Sequence, residues 1–272
     1  MSMERSLPLR AVVLDWAGTI VDHGSRAPVE AFRELFRRRG VPISVEESRA
    51  PMGMEKRDHI GAILAMPRVA DAWRQTHRRD ASDTDLVAMY DEFLPVQREL
   101  LAHHADVIDG VLPTIAACRQ RGLRIGSSSG YAAPLMDELV RLTRAAGLQL
   151  DAVVAATDVP KGRPAPWMIY KNMERLDVYP PASIVTVDDT TVGIEAGLNA
   201  GTWCIGVIET GNLFGVASGE LAQLSAEERA ARRATGERTM LDAGAHYAIA
   251  SVAALPGVLD AIAERLAAGE RP

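Results

Sequence analysis

Asp15 ends a short apolar run, Ala11-Val12-Val13-Leu14, and Gly18 follows three residues later. A β-branched run bounded by a glycine turn has the pattern of a fully buried parallel strand. Further along, a strand pattern ends at Ser129, the loop after the next carries Lys161 and Arg163, and another ends at Asp188-Asp189. A carboxylate, a hydroxyl, two cations and an acidic pair at one sheet edge could attack and hold an anionic substrate. Singly, each has a plainer reading. Asp15 suits a helix N-cap or turn, Ser129 a strand-end cap, Arg163 a solvated loop, and the acidic pair a capped turn. Taken together, in this order and each at a strand end, they favour chemistry.

For these groups to meet, their strands must lie in one parallel sheet, whose working residues collect at the carboxyl ends. The patterning supplies such a sheet. Strands are predicted at 11–14, 123–129, 152–156, 183–187 and 202–207, alternating with helices at 28–39, 111–122, 135–146, 167–176 and 191–200. Pro28 suits a first helical turn and Gly40 a stop. This rhythm predicts an α/β fold with a doubly wound parallel sheet.

Residues 45–104 break the rhythm, reading as helix at 45–66, 68–79 and 83–104 with no strand signal. A block of that size is too large for a simple crossover. It predicts a helical cap domain over residues 25–104, inserted into a core formed by residues 1–24 and 105–272. Residues 216–242 read as polar, exposed helix. After them come a last strand from His246, a turn at Pro256 and a closing helix.

Composition narrows the partners. The 272 residues carry a net charge of −6, with 47% hydrophobic and 24% charged side chains. That balance suits a soluble globular chain and leaves no basic footprint for nucleic acid or anionic membrane. Anionic ligands must then be held by local cations. The two cysteines, Cys118 and Cys204, lie in apolar surroundings without metal-ligand spacing. They are expected as buried reduced thiols, consistent with a cytoplasmic location. The start, MSMERSLPLR, holds no apolar signal region, and no apolar run approaches a membrane span.

The multi-part pattern (D-x-x-G-T, a strand ending in Ser, a basic residue before Pro, an acidic pair) resembles the haloacid dehalogenase superfamily over about residues 9–215. The resemblance implies a Rossmann-like core with a helical cap, and Asp15 as a nucleophile that forms an aspartyl-phosphate. It implies Mg²⁺, which takes oxygen ligands such as Asp15, the main-chain carbonyl of Ala17, and Asp189 or Asp188. Ser129, the Gly130 amide and the Arg163 fork would hold phosphoryl oxygens.

Position 17 departs from the superfamily pattern. Most of its phosphatases carry a second Asp there as general acid, a contribution typically worth ~100-fold or more in rate. Here it is Ala17. The helical block holds a replacement: PMGMEKRDH, with Lys56. Together with DWAGT, GRPAPWMIYKN and HYAIASVAALP, that segment resembles the phosphonoacetaldehyde hydrolase (phosphonatase) family. In that family the lysine forms a protonated Schiff base with the substrate aldehyde. An iminium accepts the electrons of a breaking C–P bond and leaves as a neutral enamine, so no acid at position 17 is needed.

Further expectations follow from the same resemblance. Met52 and Tyr131 match positions lining the family's site, and either residue type is otherwise most often core. His59, at i+3 from Lys56, shares its helix face and reads equally as proton relay or packing residue. The fourth motif, VDDTTVG, lacks the later acid at Gly193, so Asp188 is a second candidate ligand beside the favoured Asp189. Thr19, Thr190 and Lys161 read either as residues that support the site or as plain loop residues. Family members pair as homodimers through their caps. Two rival readings are a Mg²⁺-dependent phosphomonoesterase or sugar-phosphate mutase of the superfamily, and an inactive phospho-ligand-binding module.

Overall fold

Among the described residues, six strands form a single parallel sheet in the order β3-β2-β1-β4-β5-β6. They are β1 (Ala11–Leu14), β2 (Arg124–Ser129), β3 (Ala152–Ala155), β4 (Ile184–Asp188), β5 (Trp203–Val207) and β6 (Tyr247–Ile249). This computed structural model describes residues 8–101 and 103–272. The predicted core segment's residues 1–7, and Ala102 of the predicted cap, lie outside the described residues. All four residues of β1 are buried, as its apolar run requires. From β1 the chain winds to β2 on one side, and β4 pairs on the other. The order therefore reverses between β1 and β4, opening a crevice at their carboxyl ends. Asp15 and the Asp188-Asp189 pair stand at that crevice.

Between β1 and β2 run α1 (Arg26–Arg38), α2 (Val45–Arg49), α3 (Lys56–Leu64), α4 (Pro67–His77) and α5 (Asp83–Leu101), then α6 (Val111–Gln120). Four of the first five, α1, α3, α4 and α5, share their own apolar cluster, built on Phe32, Phe36, Ile60, Ile63, Trp73, Met89 and Phe93. The sheet and its flanking helices pack a different cluster, containing Val12, Leu14, Ile125, Val185 and Ile205.

One expected helix is two. The apolar spacing of residues 45–66 runs on, but the chain leaves the helix after Arg49 and re-enters it at Lys56. Pro51 and Gly53 account for the break, Gly53 lying at φ +94°, in the left-handed region that favours glycine. The break turns Met52, Gly53 and Lys56 toward the sheet.

The second half alternates as expected: α7 (Ala133–Ala145), α8 (Trp167–Leu176) and α9 (Thr191–Ala200). The tail forms α10 (Ser218–Leu221), α11 (Ala226–Asp242) and α12 (Leu255–Ala267). Pro256 sits in the first turn of α12 rather than in a turn before it. Although α11 is mostly exposed, Met240 is fully buried against β5 and β6 elements. Both cysteines are free and buried, and burial pushes their thiols up to about 11. Among the described residues, no helix is long and apolar enough to cross a membrane.

Candidate active site

A small cavity lies over the crevice, walled by the strand ends of the sheet on one side and by the helical insert on the other. The sheet side supplies Asp15, Ala17, Ser129, Gly130, Tyr131, Arg163, Asp189 and Thr190. Ser25, Pro28, Met52, Gly53 and Lys56 close it from the insert side. Contact between the two sides is tight. A Cβ on Gly53 would fall 2.4 Å from Thr190 Oγ1, and one on Gly130 would meet the Met54 carbonyl oxygen at 3.0 Å.

Arg163 sits deep in the cavity floor. Its Nη2 donates to Asp15 Oδ1 (2.8 Å), Ser128 Oγ (2.9 Å) and the Ser128 carbonyl (3.1 Å). Its Nη1 pairs with Asp188 Oδ2 at 3.0 Å. The expected fork toward two phosphoryl oxygens is thus differently employed. Two buried carboxylates need a counter-charge more than the guanidinium needs solvent, and both arms are committed to them. Burial alone would lower the Arg163 pKa; Asp188 and Asp15 overcome it and hold the group above its ordinary range.

Oxygen atoms of Asp15, Asp188 and Asp189 lie within 4.8 Å of one another, all buried. Asp15 is pushed up to about 7, chiefly by burial and then by Asp188, against the pull of Arg163. Asp189 is raised well above the usual carboxylate range by burial, with Asp15 and Asp188 adding to it. Three acids crowded in low dielectric lack sufficient positive charge, which is the electrostatic signature a divalent cation relieves.

Asp188 spends both oxygens on protein: Oδ1 accepts from the Thr190 N–H (2.9 Å) and hydroxyl (2.7 Å), Oδ2 faces Arg163. Asp189 has one committed oxygen, Oδ2, which accepts from the Asn212 N–H at 2.7 Å. Asp15 gives Oδ1 to Arg163, and the Trp16 N–H is the other donor to its carboxylate. Asp15 and Asp189 are thus less engaged by protein donors than Asp188 and keep lone pairs for a hard cation, and the residues present fit Mg²⁺.

Lys56 is the first residue of α3, with Glu55 accepting the N–H groups of Arg57 and Asp58 as its cap. Its ammonium group lies 5.3 Å from the Tyr131 ring centre and 5.6 Å from that of Phe32. Only 4% of the residue is exposed. Burial pushes the amine down to about 8, with Asp15 opposing and Arg163 assisting. Such an amine is partly neutral near physiological pH, as a carbonyl nucleophile must be.

His59 is not in the cavity wall. Its ring stacks on Phe32 at 3.8 Å, and Nε2 lies 2.9 Å from the Ser48 carbonyl, which can only accept. Burial, then Lys56, drives its pKa well down, so the ring is neutral. The geometry is that of a packing residue. Ser129 Oγ accepts the Tyr131 N–H at 3.2 Å and borders the cavity. Lys161 is exposed and outside the lining, and Thr19 is buried away from it. Ser25 and Asn212 were not singled out from sequence. Neither sits in a periodic segment: Ser25 lies where the chain enters the insert, and Asn212 in the connection after β5.

A larger groove of about 610 Å³ lies elsewhere, between Trp16, Arg119, Arg144 and Asp151. Among the described residues, only the Asp15 cluster has metal-type grouping.

The family model for haloacid dehalogenase-like hydrolases matches residues 9–201. A phosphonoacetaldehyde hydrolase of Paraburkholderia xenovorans is 46% identical over 97% of this chain and 99% of its own length. One from Bordetella avium is 43% identical over 98% and 96%. The crystal structure of a phosphonoacetaldehyde hydrolase-like protein from Oleispira antarctica superposes with a TM-score of 0.97 at 38% identity, covering 98% of this chain and 97% of that one. A putative β-phosphoglucomutase structure from Thermotoga maritima, at 19% identity and TM-score 0.57, shares the fold alone. The chain belongs to the haloacid dehalogenase-like hydrolases and, among them, to the phosphonoacetaldehyde hydrolase family.

Proposed function

We propose that this hydrolase cleaves the C–P bond of phosphonoacetaldehyde, yielding acetaldehyde and phosphate. One observation carries the reading: the buried, pKa-lowered amine of Lys56 shares a cavity with Asp15, where Ala17 offers no acid. Lys56 Nζ adds to the aldehyde carbon, water leaves, and a protonated imine forms. An Asp15 carboxylate oxygen then attacks phosphorus. The P–C bond breaks, and its electron pair flows into the enamine as the iminium nitrogen becomes neutral. Protonation at carbon and hydrolysis release acetaldehyde and free Lys56, and water displaces phosphate from the aspartyl-phosphate.

Ser129 Oγ and the Gly130 N–H would hold phosphoryl oxygens, while Arg163 fixes the attacking carboxylate. Met52 and Tyr131 wall the aldehyde end and help exclude water. Mg²⁺, held by Asp15, Asp189 and the Ala17 carbonyl, would neutralise phosphonate charge so that a carboxylate can approach. Residues 25–104 act as the cap, and closure brings Lys56 to Asp15. The same reading makes the protein a cytoplasmic homodimer joined through the caps, checked by light scattering and cell fractionation.

The decisive test is borohydride trapping with phosphonoacetaldehyde, followed by mass analysis of the tryptic peptide containing Lys56. A reduced two-carbon adduct on Lys56 supports the reading. Turnover with an unmodified peptide rejects the imine. Phosphate release from generic phosphate esters, unaffected by Lys56→Arg, would point to a phosphomonoesterase, and Mg²⁺ binding without any turnover to a binding module.

A further inference from the structure

Arg49, the last residue of α2, lies outside the cavity lining yet ties three segments together. Its Nη1 donates to the carbonyls of Gly24 (2.9 Å) and Ser25 (3.4 Å). The same nitrogen reaches Asn212 twice, at the side-chain Oδ1 (2.9 Å) and the carbonyl (3.3 Å). Nη2 donates to the Gly215 carbonyl at 3.2 Å. Gly215 makes room for the guanidinium, since a Cβ there would lie 2.9 Å from Arg49 Cζ. No carboxylate pairs with Arg49 among the described ion pairs. A guanidinium has the planar set of donors that can bridge several oxygens at once.

Two of these segments lead to the site. Ser25 lines the cavity, and the Asn212 N–H holds Asp189 Oδ2 at 2.7 Å. Asn212 sits in the connection between β5 and α10, with no helix or strand of its own to fix it. Hydrogen bonds thus run from the inserted helix α2, through Arg49 and Asn212, to Asp189.

We infer that Arg49 is a positioning residue: when the insert seats on the sheet side, it fixes Asn212 and thereby aims Asp189 to take a divalent cation. Metal affinity and seating of the insert are then coupled. The inference rests on the Mg²⁺ reading of the Asp15–Asp189 pair. It differs from a general structural role because it acts on one carboxylate through one connection.

The test is calorimetric Mg²⁺ binding to the full chain, comparing wild type with Arg49→Lys and Asn212→Ala. Lysine keeps the charge and loses the planar reach. Asn212→Ala removes the Oδ1 acceptor of Arg49 and keeps the N–H that holds Asp189, so each variant loosens that N–H without deleting it and should bind Mg²⁺ up to about 10-fold more weakly, the lower end of the effect of disturbing a partner of a metal ligand. The double variant should be no weaker than the worse single one, because both cut the same path. Coupling is reciprocal, so Mg²⁺ should slow amide exchange in residues 45–55 of wild type and not of Arg49→Lys.

Asn212→Ala leaves Arg49 intact and tests the link from the other end should Arg49→Lys fold poorly. Wild-type affinity in a folded Arg49→Lys, or in Asn212→Ala, would overturn the inference, as would additive losses in the double variant. If wild type itself binds no Mg²⁺, the metal reading falls and this inference with it.

Discussion

The carboxylate of Asp188 fills the space that a side chain at position 193 would need, a Cβ on Gly193 lying 1.9 Å from Asp188 Cγ. Two positions five apart in sequence thus share one volume, the end of β4 meeting the first turn of α9. The acid missing from position 193 has a spatial stand-in.

This relationship predicts a reciprocal exchange. Gly193→Ala alone should destabilise the fold by about 1–3 kcal/mol through overpacking. Asp188→Gly alone should cut phosphate release at least about 10-fold by freeing one arm of Arg163. The double variant Asp188→Gly, Gly193→Asp should recover phosphate release above that of Asp188→Gly alone. Steady-state phosphate release together with thermal unfolding checks this, and a double variant no better than Asp188→Gly would refute it.

Lys56 makes activity pH-dependent with a defined sign. Its amine titrates at about 8, so the reactive neutral form is lost as pH falls below that value. kcat/KM should drop about tenfold per pH unit below 8 and level off above it. Ala17→Asp would add a carboxylate to the same cavity, favour the ammonium form and move the rising limb to higher pH. pH–rate profiles of both proteins provide the measurement.

Removing divalent cations should abolish phosphate release, and Mg²⁺ should restore it. Burial, with Asp188, pushes Asp15 up to about 7 from an unfolded value of 3.8. Raised folded pKa values mean that protonation stabilises the cluster, a contribution lost as pH rises from 3.8 to about 7. Mg²⁺ needs the ionised form, so it should raise the unfolding temperature more at pH 8 than at pH 5. Calorimetry near pH 7 should also detect proton release on Mg²⁺ binding.

His104 bridges the two chain crossings between insert and sheet, with Nδ1 3.2 Å from Asp22 Oδ1 and Nε2 3.3 Å from Glu30 Oε2. The Asp22 hydrogen bond leads in holding its pKa above the ordinary 6.5. A raised value stabilises the fold fully below pH 6.5 and loses that contribution as pH climbs through the folded pKa. The Tm gap between wild type and His104→Gln should therefore be wider at pH 5.5 than at pH 9. An unchanged gap would show that the bridge contributes nothing through charge.

Much of this was legible in one dimension. An apolar run ending in an acid is a local pattern, so Asp15, Ser129 and the acidic pair could be put at strand ends from hydrophobic period alone. Lys56 stood out through the family resemblance, which sets an insert lysine against the acid missing at Ala17. Pairing is another matter: Arg163 meets Asp15 across 148 residues, and no local period encodes which buried charge compensates which. Only the tertiary structure committed both arms of Arg163 to acids, packed His59 on Phe32 and brought Asn212 to Asp189. The sequence by itself determined the alternation of strands and helices and the residue types at the crevice, because these depend on neighbours in the chain. Counter-charges and supporting hydrogen bonds depend on neighbours in space, and the break at Pro51 and Gly53 that turns Lys56 inward depends on what it packs against.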